Sequence, residues 1–212
     1  MYLDLPVQNL KTMKKILHII SSPRGEASLS IKLGNAIIEK IKAEYPGSTV
    51  NERNLVTQNF PQLEEAHIHS FHTPAENRTS ANIEAARHSD EGIKEIEDAD
   101  IIVIGAPLYN FSIHSSLKAW IDHIVRSGVT FKVGANGAEG LIKGKKVYIA
   151  LSSGGVYSEG PWQPFDFVEP YLKHILGFIG LKDMTTFRVE GSNIPGVKET
   201  ALEKGISSIH LN

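Results

Sequence analysis

Three short stretches hold residue types that could do chemistry. The first is SSPRGEASLS, with Ser21, Ser22, Ser28 and Ser30 in a loop that also carries Pro23 and Gly25. Hydroxyls ahead of a helix, together with the unpaired N–H groups of its first turn, can hold a phosphate without any lysine. The same residues also fit a plainer reading, in which Ser28 is the helix N-cap and the others solvate a turn. The second stretch is PLYNF, Pro107–Phe111. Leu108, Tyr109 and Phe111 are apolar, yet they follow a proline that ends a core-like run. A loop this aromatic suits a flat, apolar ring. The third is SSGG, Ser152–Gly155, whose glycines let backbone N–H groups approach a ligand closely.

Something must bring these loops together. IIVIGA, Ile101–Ala106, is a continuous apolar run ended by turn residues, which fits a strand of a parallel sheet buried on both faces. Ile16–Ile20 is a second such run, and Thr49–Leu55 is a weaker strand. Lys146–Leu151 and Asp183–Glu190 complete a set of five. Between the first two strands, Leu29, Leu33, Ile37 and Ile41 share one helical face, and Pro46-Gly47 is the stop. Leu117, Trp120, Ile121, Ile124 and Val125 mark a helix of Ser115–Ser127. Phe167, Tyr171, Leu172 and Ile175 mark another over Asp166–Gly177, and Lys198–Ile209 is a weak terminal helix. Gly128–Gly144 has five glycines and no period, so it is a hairpin or an extended loop. About 45 residues separate Leu55 from Ile101, more than a crossover needs, so this segment holds an insertion before a helix over Thr79–Glu97.

Strands alternating with helices give a parallel sheet with right-handed crossovers. In the flavodoxin-like order 2-1-3-4-5, strands one and three are neighbours at the switch point, where ligands bind. The hydroxyl loop and PLYNF leave those two strands, and SSGG leaves the next one. The dinucleotide motif G-x-G-x-x-G is absent after strand one, and so is the P-loop. One phosphate site, one aromatic platform and a rim of amides describe FMN better than a dinucleotide.

Composition narrows the alternatives. The chain has 212 residues, a net charge of −2 and no cysteine. There is no global basic footprint for nucleic acid and no apolar run near the roughly 20 residues that span a membrane. Disulfides, Cys nucleophiles and thiolate metal sites are excluded. Residues 1–12 read as a leader outside the fold, with no signal-peptide pattern. Residues 13–212 read as one domain, and the expected location is cytoplasmic.

The sequence resembles the FMN-dependent NADH-azoreductases, also described as NADH:quinone oxidoreductases. The matching stretches are Ser28-Leu29-Ser30, Ala106–Phe111, Gly128–Phe131, Asn136-Gly137 with Gly140-Leu141, Ser152–Gly155 and Leu176–Gly180. The resemblance implies a homodimer with one FMN per subunit. It implies that Ser22 and Ser28–Ser30 hold the phosphate. Pro107, Leu108, Tyr109, Asn110 and Phe111 would meet the flavin ring. Ser152, Ser153, Gly154 and Gly155 would reach its pyrimidine edge. It also implies NADH or NADPH as donor, and quinones or aromatic azo compounds as acceptors, in a ping-pong cycle. The family often has Met where Leu108 stands and Arg where Ser153 stands.

No acid–base side chain is expected, because the flavin carries the hard step. Phe131, Tyr157 and Trp162 are candidates for aromatic walls over it, or else ordinary packing. His67, His69 and His72 form H-x-H-x-x-H in the insertion. They read as exposed loop histidines rather than a metal site, and His123 reads as lying on the polar side of its helix. Two further readings stay open: a flavodoxin-type single-electron carrier, and an NAD(P)H:FMN reductase that releases its flavin.

Overall fold

The computed structural model describes residues 12–58 and 60–211. Most of the leader expected at residues 1–12 thus lies outside the described residues. Among the described residues seven strands form: β1 (Lys15–Ile20), β2 (Thr49–Asn54), β3 (Ile101–Pro107), β4 (Phe131–Gly134), β5 (Gly137–Gly140), β6 (Lys146–Ser152) and β7 (Asp183–Val189). The main sheet runs β2-β1-β3-β6-β7, with every pairing parallel. In terms of its own five strands this is the expected order 2-1-3-4-5. The glycine-rich stretch forms a separate antiparallel hairpin of β4 and β5.

Six α-helices of the described residues surround the main sheet: α1 (Leu29–Glu44), α2 (Glu65–His72), α3 (Ser80–Asp98), α4 (Ser115–Ile124), α5 (Glu169–Phe178) and α6 (Lys198–Ser207). The side-chain alternation of a strand sorts the core into two halves. On β3, Ile101 and Val103 point to a cluster with Leu33, Ile37 and Ile41 of α1 and Ala201 of α6. Ile102 and Ile104 point to the opposite cluster, with Ile93 and Ile96 of α3, Trp120 of α4 and Leu172 of α5. All seven residues of β3 are buried, as its unbroken apolar run requires. Among the described residues no helix is long and apolar enough to cross a membrane.

Two helices end differently from the sequence pattern. The helix expected to reach Ser127 stops at Ile124, because Thr130 Oγ1 donates to the Ile124 carbonyl at 2.7 Å and accepts the Arg126 N–H at 2.9 Å. The helix expected from Asp166 begins at Glu169, because Asp166 Oδ1 accepts the N–H groups of Val168 and Glu169 at 2.9 and 3.1 Å.

Candidate functional site

Parallel pairing puts the carboxyl ends of β1, β3, β6 and β7 on one edge of the sheet. Four loops leave that edge and close on the first turn of α1. Ser22, Ser28, Leu29, Pro107, Tyr109, Ser152, Ser153 and Gly154 line one cleft of about 80 Å³ there, room for a single tetrahedral oxyanion and little more. Arg24 is the charged residue in that lining. Ser192 and Asn193, from the loop after β7, complete it. Sequence reasoning missed this fourth loop, although its position after the last strand puts it on the same edge.

The other expected residues surround the cleft. Ser30 lies behind it, its Oγ 3.0 Å from Ser28 Oγ. Leu108 turns inward against the core. Asn110 faces an open depression of about 560 Å³ with His114 and Tyr171. Gly155 faces another, of about 800 Å³, with Tyr157 and Trp162. Phe111 is exposed between Tyr157 and Phe165, with ring centroids 6.3 and 5.8 Å away.

Backbone donors point to what the cleft can hold. Ser28 is the N-cap of α1, with the Ile31 N–H donating to its Oγ at 3.4 Å. When Ser30 Oγ donates in the bond the two hydroxyls share, the buried Ser28 hydroxyl keeps its own proton to donate to an anion. Among the described residues the N–H groups of Leu29, Ser30, Gly154 and Gly155 donate to no backbone carbonyl. Ser153 is different. Its N–H is taken by the Val189 carbonyl at 3.0 Å and its Oγ donates to the Gly155 carbonyl at 2.8 Å. The hydroxyl thus shapes the turn where the resembling sequences often carry Arg. Ser21, buried as well, donates to the Gly105 carbonyl at 2.7 Å and joins β1 to β3.

The turn after β3 is strained. Asn110 and Phe111 have φ of 48° and 68°, the two positive values among the described non-glycine residues. Such conformations cost energy and cluster at functional sites. This pair is held by reciprocal backbone bonds between Tyr109 and Ser112, at 3.0 and 2.9 Å, and by the Leu108 N–H on the Ser152 carbonyl at 2.8 Å.

Phe131 is not brought to this cleft. Its ring packs on Phe178 at 4.6 Å, because the hairpin docks on the end of α5. A Cβ at Gly140 would lie 2.2 Å from the Gly180 nitrogen, so the two backbones meet only because both residues are glycine.

The histidines of the insertion also differ from expectation. His67 lies on α2 and is buried, its Nδ1 accepting the Glu64 N–H at 2.9 Å. Its ring packs edge-on against His123 at 5.0 Å. His69 and His72 are exposed, and His72 Nδ1 lies 2.9 Å from the Ile68 carbonyl of its own helix. His123 is fully buried, not on a polar face. The insertion covers it, and its Nε2 meets the Pro61 carbonyl at 3.0 Å. Burial lowers its pKa. Among the described residues no group of three or more His, Cys, Asp or Glu could hold a metal ion.

Comparison with known proteins agrees with this fold. A family model described as a flavodoxin-like fold matches residues 14–210. An FMN-dependent NADH:quinone oxidoreductase of Herminiimonas arsenicoxydans is 51% identical over 179 residues, 84% of this chain and 88% of that protein. The solved azoreductase from Bacillus anthracis str. Sterne superposes with a TM-score of 0.84 at 31% identity, covering 92% of this chain and 96% of that one. An FMN-dependent NADH-azoreductase from Bacillus anthracis str. Ames Ancestor, solved in complex with FMN, gives 0.81 at 26% identity over 91% and 94%. The chain belongs to the flavodoxin-like family of FMN-dependent NADH:quinone oxidoreductases and azoreductases.

Proposed function

We propose that this chain is an FMN-dependent NADH:quinone oxidoreductase that also cleaves aromatic azo compounds to amines. The observation that carries the reading is one sheet edge. There, the buried Ser22 and Ser28 hydroxyls and the Leu29 amide line one cleft with Ser152, Ser153 and the Gly154 amide, beside Pro107 and Tyr109, which lead into the strained Asn110–Phe111 turn. Ser22, Ser28 and the first N–H groups of α1 would hold the FMN phosphate, with Arg24 offsetting its charge. Pro107–Phe111 would support the ring. The amides of Gly154 and Gly155 would meet its pyrimidine edge and stabilise negative charge there.

FMN held there would supply hydride chemistry between NADH or NADPH and an acceptor, two electrons for a quinone or four over two turns for an azo bond, with donor and acceptor using the site alternately. The protein's part is to orient the ring and keep water from its face, a task that suits Tyr157 and Trp162. One FMN per subunit, a homodimer and a cytoplasmic location go with this reading.

The test is oxidation of NADH and NADPH by the purified protein with FMN, a quinone and an azo dye. Acceptor-dependent oxidation with flavin retained through gel filtration supports the reading. No such oxidation sinks it, and FMN lost in each turnover would favour a flavin reductase.

A further inference from the structure

Between the turn after β6 and the start of α5 runs a strap, Tyr157–Asp166, that carries the aromatic face of the site. Tyr157 and Trp162 are 6.3 Å apart, and Trp162 and Phe165 5.6 Å. Both Tyr157 and Phe165 lean on Phe111. Most of these rings are open to solvent on their outer side, so packing alone fixes the strap weakly.

What fixes it is a network centred on β7. Arg188 donates through Nη2 to Asp166 Oδ2 at 2.6 Å and to Glu169, and through Nη1 to Glu190 Oε1 at 3.1 Å. The same Glu190 carboxylate accepts the N–H groups of Tyr157 and Ser158 at 2.8 and 3.0 Å, and the Ser158 hydroxyl at 2.5 Å. One guanidinium therefore reaches both ends of the strap: the exit through Asp166 and the entry through Glu190. The planar fork makes this possible, since a lysine ammonium cannot span two such partners in fixed directions. Burial would lower the Arg188 pKa, but the bonds to Glu169 and Asp166 outweigh it and raise it.

We propose that Arg188 is a positioning residue for the acceptor side of the site, holding the Tyr157–Asp166 strap against Phe111 from both ends. The inference rests on the proposed quinone reductase reading, and its test has an arm that does not. Trp120 is fully buried and Trp162 is half exposed, so acrylamide quenching, with Trp162→Phe as the baseline, reports the strap.

In Arg188→Gln the quenching of Trp162 should at least double, and the KM for menadione should rise about tenfold with kcat within about threefold. Arg188→Lys should recover part of both changes. Removing the guanidinium strands three carboxylates, so Asp166→Asn is the second variant. It keeps the cap acceptor, loosens only the exit, and should shift both readouts in the same direction by less. Unchanged quenching in both variants would overturn the proposal, and so would looser quenching with an unchanged KM. If the wild-type protein reduced no quinone, the functional reading would fall with the KM arm. Unchanged quenching would still show separately that Arg188 does not hold the strap.

Discussion

The main-chain oxygen of Phe111 accepts the N–H of Phe167 at 3.2 Å. This bond joins the strained turn after β3 to the segment that enters α5. Two loops separated by more than fifty residues in sequence thereby share one boundary, and Phe111 holds a left-handed conformation there. The strain fits a residue selected for where its ring must stand rather than for local stability.

Phe111→Gly separates those two roles. Glycine adopts this conformation without strain, and the strain relieved offsets the packing lost with a Phe111 side chain that is 41% exposed. Urea unfolding should give a stability within about 1 kcal/mol of the parent. FMN affinity, followed by quenching of flavin fluorescence, should fall about tenfold through the lost ring contact.

Gly140→Ala tests how the hairpin is attached. The new methyl would collide with backbone at Gly180, which has no flexible side chain to move aside. A loss of about 2 kcal/mol is expected in urea unfolding. Phe131–Phe178 packing should loosen with it, and near-ultraviolet circular dichroism should register that change.

Acid should weaken the fold in two steps. His18 on β1 is buried, and its pKa is lowered from 6.5 to about 4 by burial. The unfolded chain therefore binds a proton that the folded chain refuses, and the stability present above pH 6.5 is lost as pH falls toward 4. For His18 alone this amounts to about 3 kcal/mol. His123 and His88 are lowered as well, and they act in the same direction. Burial would raise the Glu169 pKa, but its bonds to Lys173 and Arg188 prevail and hold it at about 2. Its contribution is lost between about pH 4.5 and 2. His18→Leu should flatten the upper part of a plot of unfolding midpoint against pH and leave the lower part in place.

Much of this was legible in the sequence. The three central strands announce themselves as apolar runs and the two edge strands more weakly, and parallel pairing then fixes which loops share an edge. That reasoning places Ser22, Ser28, Pro107, Tyr109 and Gly154 in one cleft, where the structure has them. What was not legible depends on partners distant in the chain. His123 lies about a quarter turn around the helix from the face of Leu117, Trp120 and Ile124, so the pattern puts it off the core, and the insertion over α4 buries it. Phe131 goes where the contact of Gly140 with Gly180 takes the hairpin, and nothing near Phe131 encodes that contact. Ser192 and Asn193 carry no motif, and only the sheet edge identifies them.

In the proposed function the hydroxyl loop, the PLYNF turn and the SSGG turn together form a single FMN site. Titration of flavin-free protein with FMN, read by flavin fluorescence, tests it most directly. The expected result is one FMN per chain, with affinity about 10- to 100-fold weaker in Ser28→Ala combined with Ser30→Ala, through the loss of the Ser28 hydroxyl bond to a charged phosphate and of the Ser30 hydroxyl that orients it. Failure of the wild-type protein to bind FMN, or equal affinity in the double variant while it remains folded, would contradict the account.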